Sequence, residues 1–103
     1  MKDIIKNLNK VFENRVRLGV MSVLIVNYHA DFNTLKKMLN VTDGNLASHI
    51  TALQNNNYIK VKKQFLGKKP NTTYSVSSSG KIAFHDHLNA LEKLINQLIN
   101  QGG

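Results

Sequence analysis

Thr42-Asp43-Gly44-Asn45-Leu46-Ala47-Ser48-His49-Ile50-Thr51-Ala52-Leu53-Gln54-Asn55-Asn56 is the stretch from which the rest of the chain can be read. Thr42 can cap the first free amides of a helix with its hydroxyl, and Asp43 in the first turn faces the positive end of the helix dipole. Asn45 stands where a complete capping box has Glu or Gln. Leu46, Ile50 and Leu53 recur at steps of four and three, so they form one apolar stripe that must dock on a core. A second stripe, Asn45, Ser48, His49 and Ala52, lies about 100° round the helix at roughly 100° per residue. Its side chains are short and polar, suited to donating and accepting at base edges in a duplex groove. The spacing therefore predicts a recognition helix over 43–56. The competing reading is the wet side of an ordinary surface helix.

The charge pattern bears on that choice. The 103 residues carry 14 Lys and Arg against 6 Asp and Glu, a net charge of +8. No acidic residue occurs from Gly44 to His85, whereas Lys60, Lys62, Lys63, Lys68, Lys69 and Lys81 all fall there. An acid-free basic segment in and after the proposed recognition helix implies a polyanionic partner. A solvated basic face is the bland alternative. With no cysteine, disulfides, thiolate metal sites and thiol redox sensing are excluded for this chain. The most apolar run, Leu18 to Val26, is interrupted by Ser22 and falls far short of the roughly 20 residues of a membrane span. It lies too far inside the chain for a signal peptide, so no targeting segment is expected and the cytoplasm is the expected compartment.

Working outward, Ile4, Ile5, Leu8, Val11 and Phe12 share one side of a helix predicted over 3–12. A second helix opens near Asn14 and is apolar nearly all the way round, as a central helix would be. Tyr28 to Phe32 reads as a connection with an extended pair at Asp31 and Phe32. Asn33 is then the expected cap of a short helix whose buried side is Leu35, Met38 and Leu39. Two helices joined by about three residues have the geometry of a helix-turn-helix. After Asn55-Asn56-Asn57, residues 58–66 read as a strand with Ile59, Val61 and Phe65 alternating against lysines, Gly67 to Asn71 as a turn, and 72–77 as the returning strand. Ser77 can cap a last helix in which Phe84, Leu88, Leu91, Ile95 and Leu98 step by four, three, four and three, a heptad seam, before a frayed Gly102-Gly103 tail.

The predicted class is mainly α with a small β-hairpin wing (α+β), one domain over 1–103. Within it, 1–13 and 81–101 are dimerisation helices and 14–80 is the core. The residues that carry a family resemblance are Asn14-Arg15-Val16-Arg17-Leu18, the run Leu39 to Ile50, Leu53-Gln54-Asn55-Asn56-Asn57-Tyr58-Ile59, Gly67 to Tyr74, Val76-Ser77 and Gly80-Lys81. On these the chain resembles a winged helix-turn-helix transcriptional regulator, similar to MarR-like and ArsR-like proteins and most of all to the short stand-alone winged helix DNA-binding domains. The resemblance covers about residues 14–85. It implies sequence-specific binding of double-stranded DNA by a homodimer acting as a regulator, with repression the expected sense. Thr42, Asn45, Ser48 and His49 would then face bases or phosphates, and Lys68, Lys69 and Asn71 would be wing contacts. We add Lys62 on the wing strand and Arg17 as a phosphate contact, although Arg17 equally suits a carboxylate or carbonyl within the protein. The wing has Lys where many relatives have Arg, which favours plain phosphate attraction, and the recognition helix has neither, so the commonest guanine contact is missing.

The expected dimer interface comprises Ile4, Ile5, Leu8, Phe12, Phe84, Leu88, Leu91, Ile95 and Leu98. His85 and His87 point about 200° apart on a helix and cannot chelate one ion together, so no metal and no cofactor are expected. Paired carboxylates, a nucleophile with its base and a Gly-rich phosphate loop are all missing, which argues against an enzyme. A cleft between the terminal helices and the core could admit a small effector. The alternative function is a winged-helix protein-interaction module without DNA contact, because fold does not fix function.

Overall fold

Residues 1–102 are described by the computed structural model. Among these residues, five helices and a three-stranded antiparallel sheet follow one another as α1 (Lys2–Lys6), a 3₁₀ turn (Lys10–Phe12), α2 (Arg15–Asn27), β1 (Ala30–Asp31), α3 (Phe32–Leu39), α4 (Asp43–Asn55), β2 (Ile59–Leu66), β3 (Lys69–Val76) and α5 (Ser78–Gly102). This is the predicted winged helix-turn-helix, mainly helical with a hairpin wing.

Helix α2 is central, as its all-round apolarity requires, and buries Val16, Val20, Met21 and Leu24. Against it pack Leu35 of α3, the whole Leu46, Ile50 and Leu53 stripe of α4, and Ile59, Tyr74 and Val76 of the sheet. Its Asn14 cap accepts from the amides of Val16 and Arg17. Gly19 lets α3 pack closely, since a Cβ there would lie 2.7 Å from the end of the Leu39 side chain, which would have to shift. The turn between α3 and α4 lacks glycine. Asn40 takes the left-handed conformation instead, at φ 53° and ψ 56°, which Asn tolerates better than other side chains.

Several boundaries differ from the sequence reading. The helix expected over 3–12 breaks after Lys6, because Asn9 is extended and its side chain accepts from the Val11 amide, a local bond that competes with the helix. Helix α3 is capped by Asp31, not Asn33. Its carboxylate accepts from the Thr34 amide at 2.8 Å, and that bond holds the carboxyl below its ordinary pKa. In α3, Leu35 takes the buried position with Phe32 and Leu39 beside it, which leaves Met38 turned out. The sheet has order β1-β3-β2, so the hairpin gains a short third strand in which Ala30 pairs with Tyr74 and Asp31 with Thr73. The wing is longer and its turn tighter than expected: Leu66 pairs with Lys69, and Gly67 at φ 67° occupies the first turn position, where a two-residue hairpin favours glycine. Beyond Val61 the strands run clear of the core, and the outer half of the wing is exposed, Phe65 included, as a strand whose apolar face is broken at Lys63 should be. Helix α5 includes Gly102, while Gly103 of the expected tail lies outside the described residues.

The junction between α4, wing and α5 is clamped. Asn57 at φ 60° reverses the chain. Its carbonyl accepts from Ser77 Oγ at 2.6 Å and Ser79 Oγ at 2.8 Å, and Ser77 Oγ caps α5 by accepting from the Gly80 amide. A Cβ on Gly80 would fall 2.0 Å from the Tyr58 carbonyl oxygen, so only glycine fits there. At the other end, Phe12 packs on Tyr58, edge-on to Phe84 and against His87. Phe12 and Phe84 are only 2% and 3% exposed. They belong to the core of the chain itself rather than to the interface in which the sequence reading places them.

Candidate nucleic-acid interface

Helix α4 starts at the expected cap: Thr42 Oγ1 accepts from the Asn45 amide at 3.2 Å. Its apolar stripe is entirely buried, so orientation is fixed and the opposite face looks outward. Asn45 and Ser48 are exposed there, whereas Ala52 and His49 are half-buried towards one flank. The middle of the outward face, taken opposite Leu46, Ile50 and Leu53, falls on Gly44, Ser48, Thr51 and Asn55, all exposed. Gly44, Thr51 and Asn55 are not among the sequence candidates. They could have been found by measuring from the buried stripe rather than from the polar residues. Thr51 Oγ1 donates back to the Ala47 carbonyl at 2.9 Å, so what it keeps for a partner is an acceptor oxygen and its methyl.

Two charged contacts shape this surface. Asp43, the only acid on α4, pairs with Lys36 Nζ at 2.8 Å, the carboxylate largely solvated and the lysine partly so. Such a pair adds little stability, but it offsets a negative charge where a phosphate would approach. Arg17 reaches from α2 into the space beside α4: its Nε donates to the Val11 carbonyl at 2.6 Å and its Nη1 lies 2.9 Å from His49 Nδ1. Of its two sequence-level readings, the structure realises the one in which it holds a carbonyl. His49 has its pKa lowered, first by desolvation and then by the Arg17 charge.

On the wing, Lys62, Lys68 and Lys69 are exposed. Asn71 is half-buried, on β3 opposite Gln64 rather than in the turn. Lys62 stands opposite Thr73 and Lys68 sits in the turn beside Gly67. Phe65 and Leu66 flank that turn in solvent. Among the described residues no group of three or more His, Asp or Glu is placed to hold a metal ion. No helix among them is long and apolar enough to cross a membrane.

A central three-helix unit with a buried-stripe recognition helix and an extended basic hairpin defines a winged helix-turn-helix DNA-binding fold. Residues 16–95 match the model of the winged helix DNA-binding domain family, and the chain belongs to that family. It is a DNA-binding domain and not an enzyme. A transcriptional regulator homologue from Pyrococcus horikoshii has a solved structure with a TM-score of 0.80, 34% identity and 94% coverage of both chains. An uncharacterized protein of Methanocaldococcus jannaschii is 30% identical over 79 residues, covering 77% of this chain and 86% of that one. A protein from Enterococcus faecalis assigned to the MarR family of transcriptional regulators matches in fold at a TM-score of 0.75, with 16% identity over 98% of this chain and 89% of its own.

Proposed function

We propose that this chain is a cytoplasmic, homodimeric regulator of transcription that binds duplex DNA sequence-specifically and represses by occupying its operator. The observation that carries the reading is the pairing of surfaces: an outward α4 face free of core duties beside a wing whose exposed charges are all lysine. In this reading α4 enters the major groove, with Asn45, Ser48 and His49 at base edges and Thr42 near phosphate. The wing lysines and Asn71 lie on the flanking backbone.

The dimer is proposed from α5. Past the core its seam is uncovered: Leu88, Ile95, Leu98 and Ile99 are exposed, as is Ile5 on α1, while Ile4, Leu8 and Leu91 are half-buried. The protomer extends 59 Å along its long axis with a radius of gyration of 15.8 Å. A compact domain of this length is expected near about 13 Å. Gln97 Oε1 on α5 is buried without a hydrogen-bond partner among the described residues. A second α5 would cover the apolar seam, as heptad helices do. A cleft of about 590 Å³ between α1 and α5, lined by Ile4, Leu8, Ala83 and Ala90 with Lys6 and Lys93, is the place we assign to an effector.

Phe65 and Leu66 at the wing tip favour a second reading, because a hairpin that only attracts phosphate has no use for exposed apolar side chains. There the wing docks on another protein. Fluorescence anisotropy with a mixed-sequence duplex of about 30 base pairs, titrated from low to physiological salt, decides between them. DNA binding predicts a log-log slope of about −0.9 per phosphate contact. A complete lack of binding at low salt would leave only the protein-interaction reading.

A further inference from the structure

His49 is the one titratable side chain on the DNA-facing half of α4 whose hydrogen-bonding state the rest of the protein dictates. Its Nδ1 lies 2.9 Å from Arg17 Nη1. A guanidinium has five N–H donors and no lone pair to offer, so Nδ1 must be the acceptor. The ring proton is then on Nε2. Arg17 is itself immobilised, since its Nε donates to the Val11 carbonyl, in the segment that leads into the Phe12 aromatic cluster. Among the described residues Nε2 has no hydrogen-bond partner, and it is not a fully buried atom, so its proton is left for a ligand.

We propose that Arg17 is a positioning residue for base recognition: it does not bind phosphate but fixes His49 as the neutral Nε2–H tautomer, a single-sense donor aimed at an acceptor on a base edge. This inference rests on the DNA-binding reading above. In the major groove the acceptors are purine N7, guanine O6 and thymine O4, whereas the amino groups of cytosine and adenine are donors and are rejected. A free imidazole would present either sense by changing tautomer. The arrangement thus supplies discrimination to a helix that has no Arg or Lys of its own. Burial and the adjacent guanidinium both disfavour protonation of the ring, in keeping with this role. Arg17 is the charged group that acts on it from α2, and Asp43 on its own helix is engaged by Lys36.

The test uses the full chain, with ¹⁵N-labelled imidazoles observed by NMR and with duplexes selected by the wild type from a randomised pool. Wild type is expected to show His49 as one Nε2–H tautomer titrating below the ordinary 6.5. Arg17→Leu should give a tautomer mixture, a pKa nearer the ordinary value and about three- to tenfold weaker binding to the selected duplex, the worth of one neutral hydrogen bond. The loss should be confined to duplexes with an acceptor at one base position, with the salt slope unchanged. Arg17→Gln keeps an N–H donor without the charge and should restore the tautomer and most of the base preference. Should Arg17→Leu instead lower the salt slope by about 0.9 with every base preference intact, Arg17 is a phosphate contact and the proposal falls. Retention of the single tautomer in Arg17→Leu sinks it equally, whatever the DNA result. Failure of the wild type to bind any duplex would refute the DNA-binding reading, and the positioning role with it.

Discussion

Helices α4 and α5 both carry an apolar stripe at helical spacing, but α4 buries all of its stripe in one protomer and α5 buries only the beginning of its own. Leu46, Ile50 and Leu53 are enclosed, whereas past Phe84 and Ala90 the α5 seam opens into solvent, with Leu98 57% exposed. A helix whose stripe is satisfied can leave its outer face to polar recognition. One whose stripe is half satisfied still has hydrophobic surface to remove from water, and a second copy of itself is the simplest cover. The same contrast runs through the charges, since the α4 and wing half is free of acids after Asp43 while α5 carries Asp86 and Glu92 among its lysines.

The largest expected effect comes from breaking the open half of the α5 seam. Ile95→Asp with Leu98→Asp should leave the chain folded, because both side chains are exposed, yet convert the proposed dimer to a monomer in sedimentation. DNA affinity should fall by about a hundredfold or more as the second half-site contact ceases to be intramolecular. An unchanged sedimentation coefficient would mean that α5 is covered some other way. Phe84 is unsuitable for this purpose. Truncating it to Ala would remove a ring from the core, at about 3–5 kcal/mol, and confuse folding with assembly.

Next in size is the wing. Lys68→Glu with Lys69→Glu reverses two exposed charges at the turn and should weaken duplex binding by roughly tenfold at low salt, with a salt slope shallower by about 0.9 for each phosphate no longer neutralised. Melting temperature should hardly move, since both side chains are in solvent. Retained DNA affinity would shift weight to Phe65 and Leu66, and to a wing that meets protein.

Two histidines sharpen the contrast in a different way. His87 on α5 is 3% exposed and accepts from the Asn9 amide through Nδ1 at 2.9 Å. It too is a neutral Nε2–H ring, and burial pushes its pKa down, although Glu13 pulls the other way. Between the ordinary value of 6.5 and its lower folded value, the unfolded chain binds more protons than the native one. Stability is therefore complete above about pH 6.5 and declines as the pH falls through that window, by at most about 1.4 kcal/mol per pH unit for each proton. His49 adds to the same slope. His87→Gln, whose amide oxygen can still accept from Asn9, should flatten the chemical-denaturation profile below about pH 6.5 by one proton's worth, leaving the DNA affinity at about pH 7.5 unchanged. A profile identical to wild type would mean that His87 does not titrate on unfolding.

Periodicity and turn chemistry made the order of elements legible, because long stripes such as Leu46-Ile50-Leu53 admit one orientation. What escaped was decided by competition at short range or by three-dimensional context. Asn9 diverts its backbone into a 3₁₀ turn through its own side chain and leaves no periodic trace, while the extended pair expected at Asp31 and Phe32 lies one residue earlier, at Ala30–Asp31, because Phe32 already opens α3. The candidate site was legible in its polar and basic residues. It was less so in orientation: judging by polarity puts the centre of the α4 face near Asn45 and His49, whereas burial of the stripe puts it near Gly44, Ser48 and Thr51. The tie between Arg17 and His49 spans 32 positions and has no local signature.

Gly44 offers the finest test of where that face points. Gly80 is required by the Tyr58 backbone and Gly67 by its backbone angle, and a Cβ on Gly19 would push on the Leu39 side chain, but a Cβ on Gly44 would meet nothing within 4 Å, and its φ lies outside the left-handed range. Glycine inside a helix costs roughly 0.5–1 kcal/mol relative to alanine, so Gly44→Ala should stabilise the protein. For a chain of this size that is a rise of about 2–8 °C in melting temperature. If the middle of the α4 face lies against DNA, the added methyl meets the duplex instead, and affinity should drop a fewfold even as stability rises. Gly44→Val should weaken binding further while giving up the gain in stability, because β-branching disfavours the helix. Opposite movement of stability and affinity is what a contact surface produces. If the two rise together or affinity does not change, DNA contact is centred on the Asn45 and His49 flank, and polarity is the better guide to the working face of this helix.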